Sequence, residues 1–221
     1  MNILIISDLH LSRHFDSRKF NLLKKLIGSV DHVIINGDFW EGYEITFEEF
    51  LKTNWKQLFP LLKSKKTVYI YGNHDPEDME DNRVELFSDI QTRAYTLKVG
   101  EKELVFEHGN RLCPLLDERF VWDFLPEKGQ KIAHDLADSI QHILTRCGEP
   151  VVKFFFKRLN KRIIKKATHE LKPNQILVCG HTHCSQFTPE DNFINTGFFN
   201  FGYAQYLIIE GEKLIPKNER Y

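Results

Sequence analysis

The sequence predicts a layered α/β fold with parallel strands at its centre and a helical insertion late in the chain. Three observations lead there. Short β-branched runs alternate with helical segments over residues 2–71, the order expected of parallel strands joined by helices. Two strand-like runs, Ala94–Val99 and Glu103–Glu107, flank Gly100 as a hairpin. Residues from about 112 to 172 contain no strand pattern but two amphipathic stretches parted at Gly148–Glu149–Pro150. At 221 residues the chain is one domain carrying that insertion, long enough to bury a sizeable core.

Taken in order, Asn2–Ser7 is a compact apolar run and reads as a buried strand. Arg18–Gly28 reads as a helix, with Phe20, Leu22, Leu23, Leu26 and Ile27 on one side and Gly28 at its end. His32–Asn36 is a second buried strand. Thr46 with Glu49 forms a capping box that opens a helix towards Leu58. Thr67–Tyr71 is the third strand, and the hairpin follows. In the insertion, Glu127–Cys147 places Ile132, Leu136, Ile140, Ile143 and Leu144 on one face. Val151–Leu171 does the same with Val152, Phe155, Phe156, Leu159, Ile163 and Ala167. Gln175–Cys179, Phe193–Asn195 and Gln205–Glu210 are further strands, and Gly211 turns the last into Lys213–Pro216.

Charge excludes some functions. Thirty Lys and Arg face 31 Asp and Glu, so the whole molecule has no general attraction for nucleic acid. No apolar run approaches the ~20 residues that span a bilayer. The opening Met1–Asp8 has no basic stretch before its apolar run, so it does not read as a secretory signal. Four cysteines without a CxxC pair suggest reduced thiols and a cytoplasmic location. Eighteen Phe, seven Tyr and three Trp fit either a well-packed core or a pocket for a greasy or flat ligand.

The chemistry gathers at strand ends. The runs lead into Asp8–Leu9–His10, into Gly37–Asp38 with Glu41 beyond, into Gly72–Asn73–His74–Asp75, into His108–Gly109–Asn110, and into Gly180–His181–Thr182–His183. Open α/β sheets bind ligands at the carboxyl ends of their strands. Singly, Asp38 and Asn73 are ordinary turn residues after glycine, Asp8 an ordinary loop cap, and a histidine there an ordinary polar residue. Arriving together, they form a mixed nitrogen and oxygen donor set suited to manganese, iron or zinc. A shared carboxylate is what two ions ~3.5–4 Å apart require. Period-2 alternation is expected to point Asp8 and His10 to one side, and His181 and His183 likewise.

These five blocks resemble, in order, those of the calcineurin-like metallophosphoesterases. The resemblance implies a four-layer fold of two packed mixed β-sheets flanked by helices. It implies that Asp8, His10 and His183 hold one divalent ion, that Asn73, His108 and His181 hold a second, and that Asp38 bridges them. Manganese is the first expectation, with iron or zinc as alternatives. His74 would protonate the leaving oxygen after in-line attack by a metal-bridging hydroxide, and Asp75 would orient it. Glu41 stands where Asp is common. The helical insertion and Phe39–Trp40–Glu41 are further similar to the UDP-2,3-diacylglucosamine hydrolases, which cleave a pyrophosphate and hold acyl chains under a helical cap. His74 stands where many of those have Arg, and Asn110 where they commonly have Asp. The implied substrate is a phosphorylated small molecule or a lipid nucleotide. The alternatives are a phosphodiesterase acting on nucleotides or nucleic acid, and a scaffold that kept the fold, as the chain's resemblance to a retromer subunit of this fold would allow. Against the scaffold, no expected ligand is missing.

The second insertion helix is basic, with eight Lys or Arg between Lys153 and Lys172 and only Glu170 against them. Helical projection places Lys153, Lys157, Arg158, Lys161 and Lys165 opposite the apolar stripe, with Phe154 on the same side. Phe154, Lys157, Lys161 and Lys165 are therefore candidate cap residues for an anionic lipid or a membrane surface. A solvated face above a packed stripe, or a phosphate track for nucleic acid, are the other readings. His134, Asp138 and His142 recur every four residues but lie opposite their own apolar stripe, which makes them a solvated face. Glu77–Asp81 reads as a solvated acidic loop. Cys179 reads as a buried inert thiol, and Cys184 as one open to oxidation at the metal rim.

Overall fold

β1 (Asn2–Ile6), β2 (His32–Asn36), β3 (Val68–Ile70) and β4 (Ile90–Thr92) run parallel, side by side, in a computed structural model that describes residues 1–114 and 149–221, the side chains of residues 149–155 excepted. The proposed helix Glu127–Cys147, with His134, Asp138 and His142, lies outside the described residues, as does the side chain of Phe154. A second sheet joins β5 (Tyr95–Val99), β6 (Lys102–Phe106), β7 (Gln175–Cys179), β9 (Phe193–Asn195) and β8 (Gln186–Thr188) in that spatial order. The first sheet is completed by β10 (Phe199–Asn200), β11 (Tyr203–Glu210) and β12 (Lys213–Arg220), with β11 antiparallel to β1. Both sheets mix parallel and antiparallel pairs.

Strand pleating sorts the apolar residues into layers. Ile3, Ile5, Ile34 and Ile70 point inwards and meet Leu104, Phe106, Ile176 and Val178 of the second sheet. Their neighbours Leu4, Ile6, Val33 and Ile35 point outwards, to Leu23, Leu26 and Ile27 of α1 (Ser17–Gly28) and to Phe59 and Leu62 of α3 (Phe59–Ser64). Phe39, Trp40, Phe50, Trp55 and Phe87 fill the same outer layer, so much of the aromatic richness is core. On the far side, Leu177, Cys179 and Phe193 receive Ile163 and Ala167 of α4 (Glu149–Ala167). The result is helix, sheet, sheet, helix: the expected four layers.

Several boundaries differ from expectation. The helix opened by the Thr46–Glu49 capping box is only α2 (Phe47–Phe50). Thr53 is extended there and its hydroxyl takes the Phe50 carbonyl at 2.7 Å, so a 3-10 turn, Asn54–Leu58, leads separately into α3. Pro60 is tolerated in the first turn of α3, where its missing N–H is not needed. β4, β8 and β10 are two or three residues long, too short for periodicity to show. β12 continues through Pro216 to Arg220 because, among the described strands, it pairs only with β11, and an edge strand accommodates proline.

The acidic loop is corrected at one residue. Glu77, Asp78 and Asp81 are exposed, but Glu80 turns inwards. Its Oε1 accepts from Trp40 Nε1 and, at 2.6 Å, from the Tyr69 hydroxyl. Burial first, and the Asp75 carboxylate second, push the Glu80 carboxyl up to about 8. The folded chain thus holds a proton there that the unfolded chain releases above about pH 4.5. Stability from this group is therefore lost as pH rises from that value through about 8. Glu80→Gln should raise Tm at pH 9 relative to the parent and change it little at pH 5. A variant no more stable than the parent at pH 9 would contradict the buried, proton-holding carboxyl.

Candidate metal centre

Every expected ligand lies just beyond a strand end, and the backbone there is unusual. β1 stops at Ile6, β2 at Asn36 and β7 at Cys179. Past those points Asp8 (φ 53°), His10 (46°), Asp38 (52°), His181 (66°) and His183 (52°) adopt left-handed conformations. Strand alternation is therefore not what brings Asp8 beside His10, as the sequence suggested; left-handed kinks do it. His181 and His183, expected to point to one side, part instead: His183 meets Asp8 and His10, and His181 meets Asn73 and His108. Left-handed residues cost ~1–3 kcal/mol each and persist where the surroundings over-determine them, often at functional sites. Here the backbone N–H groups of Leu9 and His10 both donate to the Asp38 carbonyl, at 2.8 and 3.0 Å. Two glycines give the loops room. A Cβ on Gly37 would lie 2.3 Å from His108 Nδ1, and one on Gly180 would lie 2.2 Å from Asp8 Oδ2.

The side chains fall into two groups sharing Asp38. In the first, Asp8, His10, Asp38 and His183 each offer a ligand atom within 4.8 Å of the others. His183 Nε2 is 3.0 Å from Asp8 Oδ1 and 3.2 Å from His10 Nε2. In the second, Asn73 Oδ1 lies 3.1 Å from His108 Nε2 and 3.0 Å from His181 Nδ1. Asp38 Oδ2 faces both groups, 3.1 Å from His108 Nε2 and 3.8 Å from His10 Nε2. The structure thus brings together all seven residues expected to hold metal.

Hydrogen bonds behind the rings decide which nitrogen faces the centre. His108 Nδ1 donates to the Asn36 carbonyl at 2.9 Å, and His181 Nε2 donates to the Cys113 carbonyl at 2.8 Å. The opposite nitrogens are thereby aimed at Asn73 and Asp38, the arrangement that outer partners give metal-ligating histidines. Burial first, and the His108 charge second, push the His181 imidazole down to about 3. Its inward Nδ1 is therefore an unprotonated acceptor set 3.0 Å from another acceptor, Asn73 Oδ1. A cation held between two such ligand atoms satisfies that approach, as does an Asn73 amide turned to present its N–H. Burial lowers His108, but the Asp38 carboxylate outweighs it and drives that imidazole up to about 10. Burial opposes ionisation of Asp8 and Asp38, yet the surrounding imidazoles, His183 for Asp8 and His108 for Asp38, hold both carboxyls below the usual range. Oxygen and imidazole donors of this kind suit manganese, iron or zinc.

His74 is placed by two contacts. Its backbone N–H donates to Asp38 Oδ1 at 3.0 Å, and its Nδ1 lies 2.8 and 2.9 Å from the two oxygens of Glu41. The orienting role expected of Asp75 therefore falls to Glu41, which also reaches His10 Nδ1 at 2.8 Å. Burial opposes the Glu41 charge, but His74 and His10 hold its carboxyl well below the usual range. Asp75 instead accepts from the backbone N–H groups of Asp38, Phe39, Trp40 and Gly72, at 3.0, 2.5, 3.4 and 2.8 Å. Burial first and Asp38 second push the Asp75 carboxyl up to about 7. It fastens the Asp38 turn to the Asn73 loop. A sign of Glu41's role was present in the sequence, three residues beyond Asp38, but only the fold shows that a glutamate reaches two histidines at once. Glu41→Gln should lower turnover about 10–100-fold while the chain stays folded, the usual cost of losing an outer-shell partner. Unchanged turnover would remove that role.

The candidate cap residues Lys157, Lys161 and Lys165 are exposed, and the opposite side of α4 packs on the second sheet. Cys113, Cys179 and Cys184 are buried thiols. Burial first raises the Cys179 thiol well above its ordinary value, which keeps it inert.

The sequence model of the calcineurin-like phosphoesterase family matches residues 1–185. Among solved structures, the chain is similar to Yfce, a phosphoesterase from E. coli, at 16% identity and a TM-score of 0.50, over 97% of this chain and 91% of that one. It is also similar to an archaeal phosphodiesterase, at 16% identity and a TM-score of 0.49, over 100% of both chains. A third is Vps29 from Entamoeba histolytica complexed with zinc, at 15% identity and a TM-score of 0.45, over 100% of this chain and 98% of that one. No curated protein matches the chain.

Proposed function

The chain belongs to the calcineurin-like phosphoesterase family, and on that premise we propose that it hydrolyses a phosphoester or pyrophosphate with two divalent ions. The observation that carries this is the position of Asp38, one buried carboxylate facing both ligand groups. Bound there, a pair of ions supplies Lewis-acid charge for phosphoryl oxygens and an acidified water. The first ion belongs with Asp8, His10 and His183, the second with Asn73, His108 and His181. His74, with Nδ1 on Glu41, delivers a proton through Nε2 to the leaving oxygen. Glu41 holds that ring and the His10 ring in place.

The substrate this reading favours is a phosphorylated small molecule or a lipid nucleotide. A cavity of about 420 Å³ is lined by Gly72 and Glu107, each next in sequence to an expected ligand, and by Glu77, Asp78, Arg93 and Arg111 among others. That size takes a small organic group. The test is hydrolysis of bis-p-nitrophenyl phosphate and of UDP-diacylglucosamine, each with added Mn²⁺ and with chelator. Chelator-sensitive cleavage of the lipid nucleotide, far faster than of the chromogenic ester, supports the lipid nucleotide. Cleavage of the chromogenic ester alone keeps the hydrolase and discards that substrate.

The exposed face of α4 favours a second reading, contact with an anionic membrane. Lys157, Arg158, Lys161, Arg162, Lys165 and Lys166 are all exposed. Each such residue near an anionic bilayer is worth ~1 kcal/mol. The protein should co-sediment with phosphatidylglycerol vesicles at low salt, much less with phosphatidylcholine vesicles, and Lys157→Glu with Lys161→Glu and Lys165→Glu should abolish the difference. Equal sedimentation of parent and variant would discard this contact.

A further inference from the structure

The apolar stripe of α4 is interrupted by one polar residue. Phe156, Asn160, Ile163 and Ala167 follow at helical spacing, and Asn160 occupies the place where a leucine is expected. Its exposure is 0%. A buried amide needs its hydrogen bonds met, and asparagine inside a helix is a weaker helix former than leucine. Asn160 makes four bonds, two of them to the loop carrying His181 and His183 and one to Asn195, which itself bonds that loop. Oδ1 accepts from Thr182 Oγ1 at 2.6 Å and from Asn195 Nδ2 at 3.2 Å. Nδ2 donates to the Cys184 carbonyl at 2.8 Å and to Gln186 Oε1 at 3.1 Å. Asn195 closes the ring, donating to Thr182 Oγ1 at 3.0 Å and to the Gly180 carbonyl at 2.7 Å. Every residue from Gly180 to Cys184 is therefore a ligand-bearing position, a direct partner of this ring, or both.

We propose that Asn160 is a positioning residue for the metal centre. The inserted helix fixes the Gly180–Cys184 loop through this side chain, and the loop in turn holds His181 and His183 in their left-handed conformations. The insertion thus helps to build the centre from behind, by a face separate from its exposed basic one. This rests on the reading of the seven residues as a metal centre.

The test is calorimetric titration of the full metal-free chain with Mn²⁺. Asn160→Ala should weaken Mn²⁺ affinity about 10–100-fold, the usual effect of losing an outer-shell partner, and lower kcat more than it changes KM. Thr182→Val, which leaves the helix untouched, should do the same. The double variant should be little worse than either alone, because both break one network. Leu171→Ala removes apolar packing from the same helix–sheet cluster without touching the loop. It should lower Tm while leaving Mn²⁺ affinity intact. Parent-like Mn²⁺ affinity in both Asn160→Ala and Thr182→Val, with only Tm reduced, overturns the proposal. A parent that binds no Mn²⁺ overturns the metal reading itself, and the two failures are distinct.

Discussion

Asp38→Asn is expected to cost about 10³-fold or more in kcat/KM and to leave the purified chain without its paired ions. A metal acting as Lewis acid is worth several kcal/mol, and ~1.4 kcal/mol is a factor of ten. Asp38 faces both ligand groups, so its charge is lost to both at once. Asparagine keeps an oxygen for the His74 backbone N–H, which Asp38 Oδ1 now accepts at 3.0 Å. The local turn should therefore survive. The measurement is elemental analysis beside steady-state kinetics, with a thermal melt as the control for folding. Two ions per chain and near-parent turnover in a folded Asp38→Asn protein would refute the bridging role.

His74→Asn is expected to lower turnover by ~10²–10⁴-fold, the range that a general acid contributes, and to leave metal content unchanged. The loss should depend on the leaving group. p-Nitrophenolate departs without a proton, so the chromogenic ester should suffer least, and an alkyl phosphoester most. This dependence separates proton delivery from mere crowding of the site. His74 packs against Tyr43, Glu41 and the His10 ring but stands outside the set of Asp8, His10, Asp38 and His183, which is why the ions should stay. An equal loss on both substrates would point to a positioning effect instead.

The residues at strand ends were readable because each follows a compact β-branched run, and such runs are hard to mistake. Ile3–Ile6 and His32–Asn36 both sit where their patterns put them. The outer layers were legible for the same reason, since Leu23, Ile27, Ile163 and Ala167 all lie on predicted stripes and all are buried. Other features depend on tertiary approach and leave little trace in local pattern. Glu80 belongs to an acidic run, and only the arrival of Trp40 and Tyr69 takes it out of water. The orienting role expected of Asp75 passes to Glu41, for which the sequence suggested none, because the Asp38 turn presents its backbone N–H groups to Asp75 and leaves Glu41 beside the His74 ring. The left-handed kinks at Asp8, His10, His181 and His183 break the alternation from which their shared direction was first inferred. Asn160 has no reading in the sequence, because its partners lie more than twenty residues away, on other elements, and only the fold brings them to it.

The most direct measurement is calorimetric titration of the metal-free parent chain with Mn²⁺, followed by phosphodiester hydrolysis before and after chelation. Two ions bound per chain, with hydrolysis lost to chelator and restored by Mn²⁺, is the predicted result. Hydrolysis that persists after complete chelation, or a folded chain that binds no divalent ion, would contradict the account.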